Sequence, residues 1–142
     1  MSGKRFYLCG PMSGIPQFNI PMFDRIAARC RAFYEDEIVS PAELDDPETR
    51  KAALASPDGA PGSGSANGQT WGDFLARDVK LVADTIDGII VLPGWERSRG
   101  ARLEVFVGLL CKKEFFEWND NVGIAYPRTA QYIRNELKDN MP

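Results

Sequence analysis

The stretch Asp87-Gly-Ile-Ile-Val-Leu-Pro-Gly-Trp-Glu-Arg-Ser-Arg-Gly-Ala-Arg-Leu-Glu104 decides how this chain folds. It opens with a short apolar run, Ile89 to Leu92, which Pro93-Gly94 breaks. A run of this length between turn signals reads as a strand buried on both faces, the kind a parallel sheet contains. A polar, glycine-containing loop follows, and then a helix beginning near Gly100. Glu104 therefore falls in the first turns of that helix, close to the mouth of the loop. Open α/β sheets place their ligands at such strand-loop-helix junctions, beyond the carboxyl ends of the strands.

Outward from this stretch the chain alternates. Arg5 to Cys9 is a compact apolar and aromatic run, read as the first strand. It ends in Gly10-Pro11-Met12-Ser13-Gly14, a loop whose glycines permit close backbone approach to a ligand. Asn19 is placed to cap the next helix, with Pro21 near its first turn. There Phe23, Ile26, Ala27, Cys30 and Phe33-Tyr34 recur at helical spacing, predicting one face packed on a sheet. Ile38-Val39 gives a second short strand, stopped by Pro41. Residues 42–70 hold an acidic run, Glu43 to Glu48, and a Gly/Ser/Pro/Ala-rich run, Ser56 to Gln69. That composition predicts a mobile loop, either a lid or an insertion without function.

Thr70 caps a helix whose apolar positions are Trp71, Phe74, Leu75, Val79, Leu81-Val82 and Ile86. After the central stretch, a helix runs through Ala101, Val105, Leu109 and Cys111. A short additional strand fits Glu114 to Trp118, and Val122 to Tyr126 reads as another strand, stopped by Pro127. Thr129 to Lys138 makes a terminal amphipathic helix with Tyr132, Ile133 and Leu137 on one side. Alternating strands and helices predict a single α/β domain over residues 1–142, with a parallel sheet of about five strands and helices on both faces.

The chain has 142 residues, enough for one domain with a real core, and a formal net charge of −3. That charge argues against binding a nucleic-acid polymer, which needs a basic face, while leaving room for a single nucleotide. The three cysteines, Cys9, Cys30 and Cys111, are odd in number and set among apolar residues. They read as buried small hydrophobes in a reducing compartment, not as a disulfide or metal framework. No apolar run approaches the roughly 18 residues of a membrane span and no signal-peptide pattern is present, so a cytoplasmic location is expected. Histidine is absent. The usual general base and every Ser-His or Cys-His dyad are thereby excluded, so enzyme chemistry would fall to carboxylates or a tyrosine.

Three groups are expected to meet at the carboxyl edge of the sheet. Tyr7 and the Gly10–Gly14 loop come from the first strand. Asp87 opens the central strand, with Asp78 and Asp84 on the helix before it. Ser98, Gly100 and Glu104 follow it. A carboxylate to attack an anomeric carbon and a second polar group to assist departure are what glycoside-type chemistry needs. Position alone leaves each residue a plainer role: Glu104 as a helix-dipole partner, Asp78 on a solvated face with Arg77 and Lys80, Asp87 at a strand edge, Tyr7 in the core, Ser98 in a turn. The Gly10–Gly14 loop matches neither the phosphate loop ending in Gly-Lys-Ser/Thr nor G-x-G-x-x-G.

Taken together, Tyr7-Leu-Cys-Gly-Pro-Met-Ser-Gly14, Arg77-Asp78-Val79, Ile86-Asp87-Gly88 and Ser98-Arg-Gly-Ala-Arg-Leu-Glu104 resemble the nucleoside 2-deoxyribosyltransferase-like superfamily. The resemblance covers residues 4–17 and about 70–112, and is nearest to a small uncharacterised phage and bacterial branch. It implies a flavodoxin-like, Rossmann-like three-layer domain that needs no metal or organic cofactor, with a homodimer or larger homo-oligomer completing the pocket.

By position the resemblance makes Glu104 the nucleophile that forms a glycosyl ester at C1′ and Tyr7 the residue that orients it. Asp87 would stand near the sugar or departing base, Asp78 would contact the base, and Gly10, Met12, Ser13 and Gly14 would line sugar and base. Ser98 stands six residues before Glu104, where transferases acting on free nucleosides tend to carry aspartate and nucleotide N-hydrolases serine. With Gly100 and two flanking arginines it suits a 5′-phosphate. The expected activity is N-glycosidic cleavage of a (deoxy)nucleoside 5′-monophosphate. Base exchange by a deoxyribosyltransferase and a non-catalytic nucleotide-binding module are the alternatives. The Gly94-Trp95-Glu96 insert and the absence of the transferases' terminal substrate-contacting segment weigh against base exchange.

Overall fold

The computed structural model describes residues 3–60 and 68–140. Five strands form one sheet: β1 (Arg5–Cys9), β2 (Glu37–Val39), β3 (Gly88–Val91), β4 (Glu114–Asn119) and β5 (Ile124–Arg128), in the order β2-β1-β3-β4-β5. The first four are mutually parallel and β5 runs antiparallel to β4. The expected parallel sheet thus carries one reversed edge strand. Pro127 lies inside β5, opposite Phe116, and does not stop it. An edge strand tolerates proline because one side of its backbone has no neighbour to bond.

Strand alternation builds two cores. Phe6, Leu8, Ile90 and Leu92 face α1 (Ile20–Phe33), together with Phe23, Ile26, Ala27 and Cys30 from that helix. Tyr7, Cys9, Ile89 and Val91 face the other side, against α3 (Trp71–Thr85), α4 (Arg99–Leu110) and α5 (Ala130–Asp139). The result is the three-layer, flavodoxin-like or Rossmann-like arrangement expected, with helices on both faces. Because β1 connects outward to β2 and the chain then crosses to β3 on its other side, the strand order reverses between β1 and β3. Their carboxyl ends open a crevice there.

Several local expectations change. Asn19 precedes α1, but it sits in the left-handed region at φ 60° and its side chain makes no cap bond. Its amide donates to the Pro11 carbonyl at 2.9 Å instead. Phe33 turns outward, with the Arg29 guanidinium 4.3 Å over its ring. The stretch read as a mobile loop contains a short 3-10 turn at Pro41–Glu43 and a helix, α2 (Pro47–Leu54), capped by Asp46 through the Thr49 N–H. The cap-proline start, Asp46-Pro47, marked that helix in the sequence. Residues 61–67 of the same stretch lie outside the described residues. Cys111 ends α4 and is exposed, whereas Cys9 and Cys30 are buried. Among the described residues no helix is long and apolar enough to cross a membrane.

Candidate active site

The crevice between β1 and β3 widens into a cavity of about 390 Å³. From β1 it takes Tyr7 and the loop residues Gly10, Met12, Ser13 and Gly14; from α3, Arg77 and Asp78; from the loop before α4 and its first turns, Ser98, Gly100 and Glu104. Gly10 is required by space, because a Cβ there would come within 2.9 Å of Leu92 Cβ on the next strand's exit loop. Two of the expected residues lie outside the cavity: Asp84 is exposed on α3 and paired with Lys80 at 2.7 Å, and Asp87 is the other. It stands before β3, at the amino edge of the sheet, exposed and outside the cavity lining. Its carboxylate accepts the Arg5 N–H at 2.8 Å and its own N–H donates to the Arg5 carbonyl. A residue opening a strand cannot reach the crevice at that strand's far end.

Glu104 is buried, at 6% exposure, and among the described residues no cation forms an ion pair with it. Burial pushes its carboxyl up to about 8 and the charge of Asp78 adds to this, while Cys9, Tyr7 and Arg77 pull the other way. Asp78 is buried too and raised, chiefly by burial. Its Oδ1 accepts from Arg77 Nε at 2.9 Å, which restrains the rise. Arg77 also donates to Asp45 at 2.5 Å, so one guanidinium holds two carboxylates at the cavity wall. The Tyr7 hydroxyl is buried and makes no hydrogen bond among the described residues, yet it is near enough to hold down both acids. Its own ionisation is driven well up by burial and by the two carboxylates, so it remains a neutral donor.

Ser98 caps α4, its Oγ accepting the Ala101 N–H at 3.3 Å. The hydroxyl proton remains available, and the first N–H groups of a helix have no intrahelical partner. Arg97 and Arg99 also line the cavity, and among the described residues neither forms an ion pair. Arg99 instead lies 5.2 Å over the Trp71 ring. Hydroxyl, helix dipole and two cations form an anion-favouring end, distant in kind from the carboxylate end.

The sequence reading missed one wall. Trp71, Phe74 and Leu75, read from the sequence only as apolar positions of this helix, line the cavity, and Asp78 and Val82 are the residues of α3 that are buried. Asp45 came from a stretch read as loop and also lines it. The capping box at Thr70 and Asp73 starts α3 where expected, and it is the overhang of this helix past the strand ends that presents the aromatic pair to the cavity.

A family model described as a domain of unknown function (DUF4406) matches residues 60–116. The matched span carries Asp78, Ser98 and Glu104, and leaves out Tyr7 and the Gly10–Gly14 loop. No curated protein matches the chain.

Proposed function

We propose that this protein cleaves the N-glycosidic bond of a nucleoside 5′-monophosphate, with Glu104 as nucleophile. The observation that carries the reading is the buried carboxylate pair, Glu104 and Asp78, facing one cavity with both acids raised. Such a pair holds one proton near neutrality, the state a two-carboxylate glycosidic mechanism uses.

In the first step a Glu104 oxygen bonds to C1′ as the C1′–N bond breaks, and its electron pair leaves with the base. Asp78, not Asp87, is the carboxyl positioned to give that base its proton. In the second step water attacks C1′, the ester bond breaks, and Asp78 takes the water's proton. The neutral Tyr7 hydroxyl donates to whichever carboxylate carries charge. Trp71 and Phe74 offer the departing base a stacking wall. Ser98, the α4 N-terminus, Arg97 and Arg99 offer the 5′-phosphate its partners. A cavity of about 390 Å³ lies at the small end of ligand pockets, suited to one nucleotide. The resemblance to deoxyribosyltransferase-like proteins supports the roles of Glu104, Tyr7 and Ser98, while for Asp78 it implies a contact with the base and not the proton transfer.

Incubation with a panel of ribo- and deoxyribonucleoside monophosphates, with free base followed by chromatography, tests the reading. Base release that disappears in Glu104→Gln supports it. Release only when a second base is supplied would make the protein a transferase. A binding-only reading is favoured by one feature: a carboxyl at about 8 is largely neutral and a weak nucleophile at pH 7. Tight nucleotide binding without release over the whole panel, including alkaline pH, would establish that reading instead.

A further inference from the structure

Tyr7 and Cys9 are two positions apart on β1, so both side chains leave the same face of the strand, toward α3 and α4. Cys9 is fully buried. Its Sγ lies 3.4 Å from Glu104 Oε1 and 3.4 Å from the Ala101 carbonyl oxygen. A thiol carries one hydrogen, so it serves one of these acceptors at a time.

We propose that Cys9 is a positioning residue for Glu104: its thiol donates to the carboxylate when Glu104 is ionised and turns to the Ala101 carbonyl when Glu104 is neutral. An ionised carboxylate outcompetes a neutral carbonyl for a donor. Once the carboxyl is protonated, or esterified, that advantage is gone and the main-chain oxygen is the better acceptor. The exchange costs one rotation and leaves no donor stranded in the core. The groups facing Glu104 are Tyr7 and Cys9 from β1, and Asp78 and Arg77 from α3. Arg77 is engaged by Asp45 and Asp78, and the Tyr7 hydroxyl, though near enough to act on both acids, makes no hydrogen bond among the described residues. Among the described residues the Cys9 thiol is the side-chain donor that forms a hydrogen bond to the carboxylate, with the Tyr7 hydroxyl close by. Its catalytic importance rests on the reading of Glu104 as the reacting group; its effect on the carboxyl does not.

The test follows the Glu104 carboxyl directly. Nuclear magnetic resonance of the protein labelled at glutamate carboxyl carbons gives its titration, assigned by the signal missing in Glu104→Gln. Cys9→Ala removes the donor and Cys9→Ser supplies a stronger one, and both side chains are smaller than cysteine. The expected result is a midpoint raised by about half to one pH unit in Cys9→Ala and lowered by a similar amount in Cys9→Ser. A role in packing alone would move both variants the same way. That result, or an unmoved midpoint in Cys9→Ala, overturns the proposal. Where the wild type releases base, the pH limb of kcat should follow the same midpoints. Where it releases none, the proposed reaction fails while the titration still decides the thiol's role.

Discussion

Arg77 Nε donates to Asp78 Oδ1 at 2.9 Å, and this contact makes the two buried acids of the cavity unequal. The guanidinium favours the ionised form of Asp78 and acts on Glu104 only weakly, from a distance, so that Glu104 is pushed to about 8 by burial and by the Asp78 charge. Between the two acids the shared proton therefore rests on Glu104. Catalysis by the proposed route needs it on the other acid or on the base, so substrate must redistribute it. A base that accepts a proton as it departs does so.

Asp78→Asn separates the two effects of that carboxylate. Loss of the like charge should move the Glu104 titration down toward its ordinary range. Loss of the proton donor should cut base release by roughly 10²- to 10⁴-fold, the usual contribution of a general acid. The same variant should thus make Glu104 easier to ionise and the proposed base release slower. A variant with normal turnover would remove Asp78 from the proposed chemistry.

Glu104 should also be visible in stability. Its folded pKa is raised from 4.5 to about 8, so its contribution is intact below about pH 4.5 and is lost as pH rises toward 8. Glu104→Gln keeps the shape and carries no titrating proton. Its stability relative to wild type should grow across that window, reaching roughly 3–5 kcal/mol by pH 8. Chemical denaturation at pH 5 and pH 8 measures the difference. An equal effect at both would mean that the carboxyl is not raised.

Asp87 and Asp78 show what the sequence made legible. The strands, the two-faced packing and the glycine loop followed from periodicity and turn residues. That Glu104 faces the crevice followed from its place in the first turns of the helix after the central strand. Which aspartate shares the cavity did not follow from the local pattern, because it depends on strand direction. In a parallel sheet the residue that opens a strand is at the end opposite the crevice. Helix length held the missing clue: fifteen residues of α3 span about 22 Å, while the four of β3 span about 13 Å. The start of α3 must overhang the carboxyl edge, carrying Trp71 and Phe74 into the cavity. Asp87→Ala should accordingly leave base release unchanged and lower stability by up to about 1 kcal/mol, through loss of the Arg5 N–H acceptor. Turnover assays beside denaturation curves check both halves.

The segment leading into α1 stores strain beside the site. Gln17, Phe18 and Asn19 all have positive φ, at 58°, 51° and 60°. Side-chain-bearing residues rarely adopt this conformation in succession. Neighbouring contacts hold them: Gln17 N–H donates to the Ser56 carbonyl at 2.9 Å, and Asn19 to Pro11. Gly59 allows this closure, since a Cβ there would meet the Ile15 carbonyl oxygen at 2.0 Å. Asn19→Ala should cost about 1–2 kcal/mol, from the lost hydrogen bond and the poorer fit of alanine to the left-handed region. A shift in denaturation midpoint with unchanged slope would register it.

Ser98 serves two ends that one substitution can divide. Its oxygen caps α4 through the Ala101 N–H, and its hydroxyl proton is available to an anion in the cavity. Aspartate caps a helix as well as serine does, but it brings a negative charge and no proton. Ser98→Asp should therefore keep stability within about 0.5 kcal/mol of wild type, whereas Ser98→Ala should lose about 1 kcal/mol with the cap. Binding should respond in the opposite pattern. Ser98→Asp should weaken a nucleoside monophosphate by tenfold or more, about 1.4 kcal/mol, and leave the matching nucleoside unaffected. Ser98→Ala should weaken the monophosphate less, because the helix N-terminus and both arginines remain. Calorimetric titration of each variant with the nucleotide and its nucleoside reads this directly. If Ser98→Asp binds the monophosphate as tightly as wild type, the phosphate does not sit at the start of α4, and the substrate end of the cavity must be reassigned.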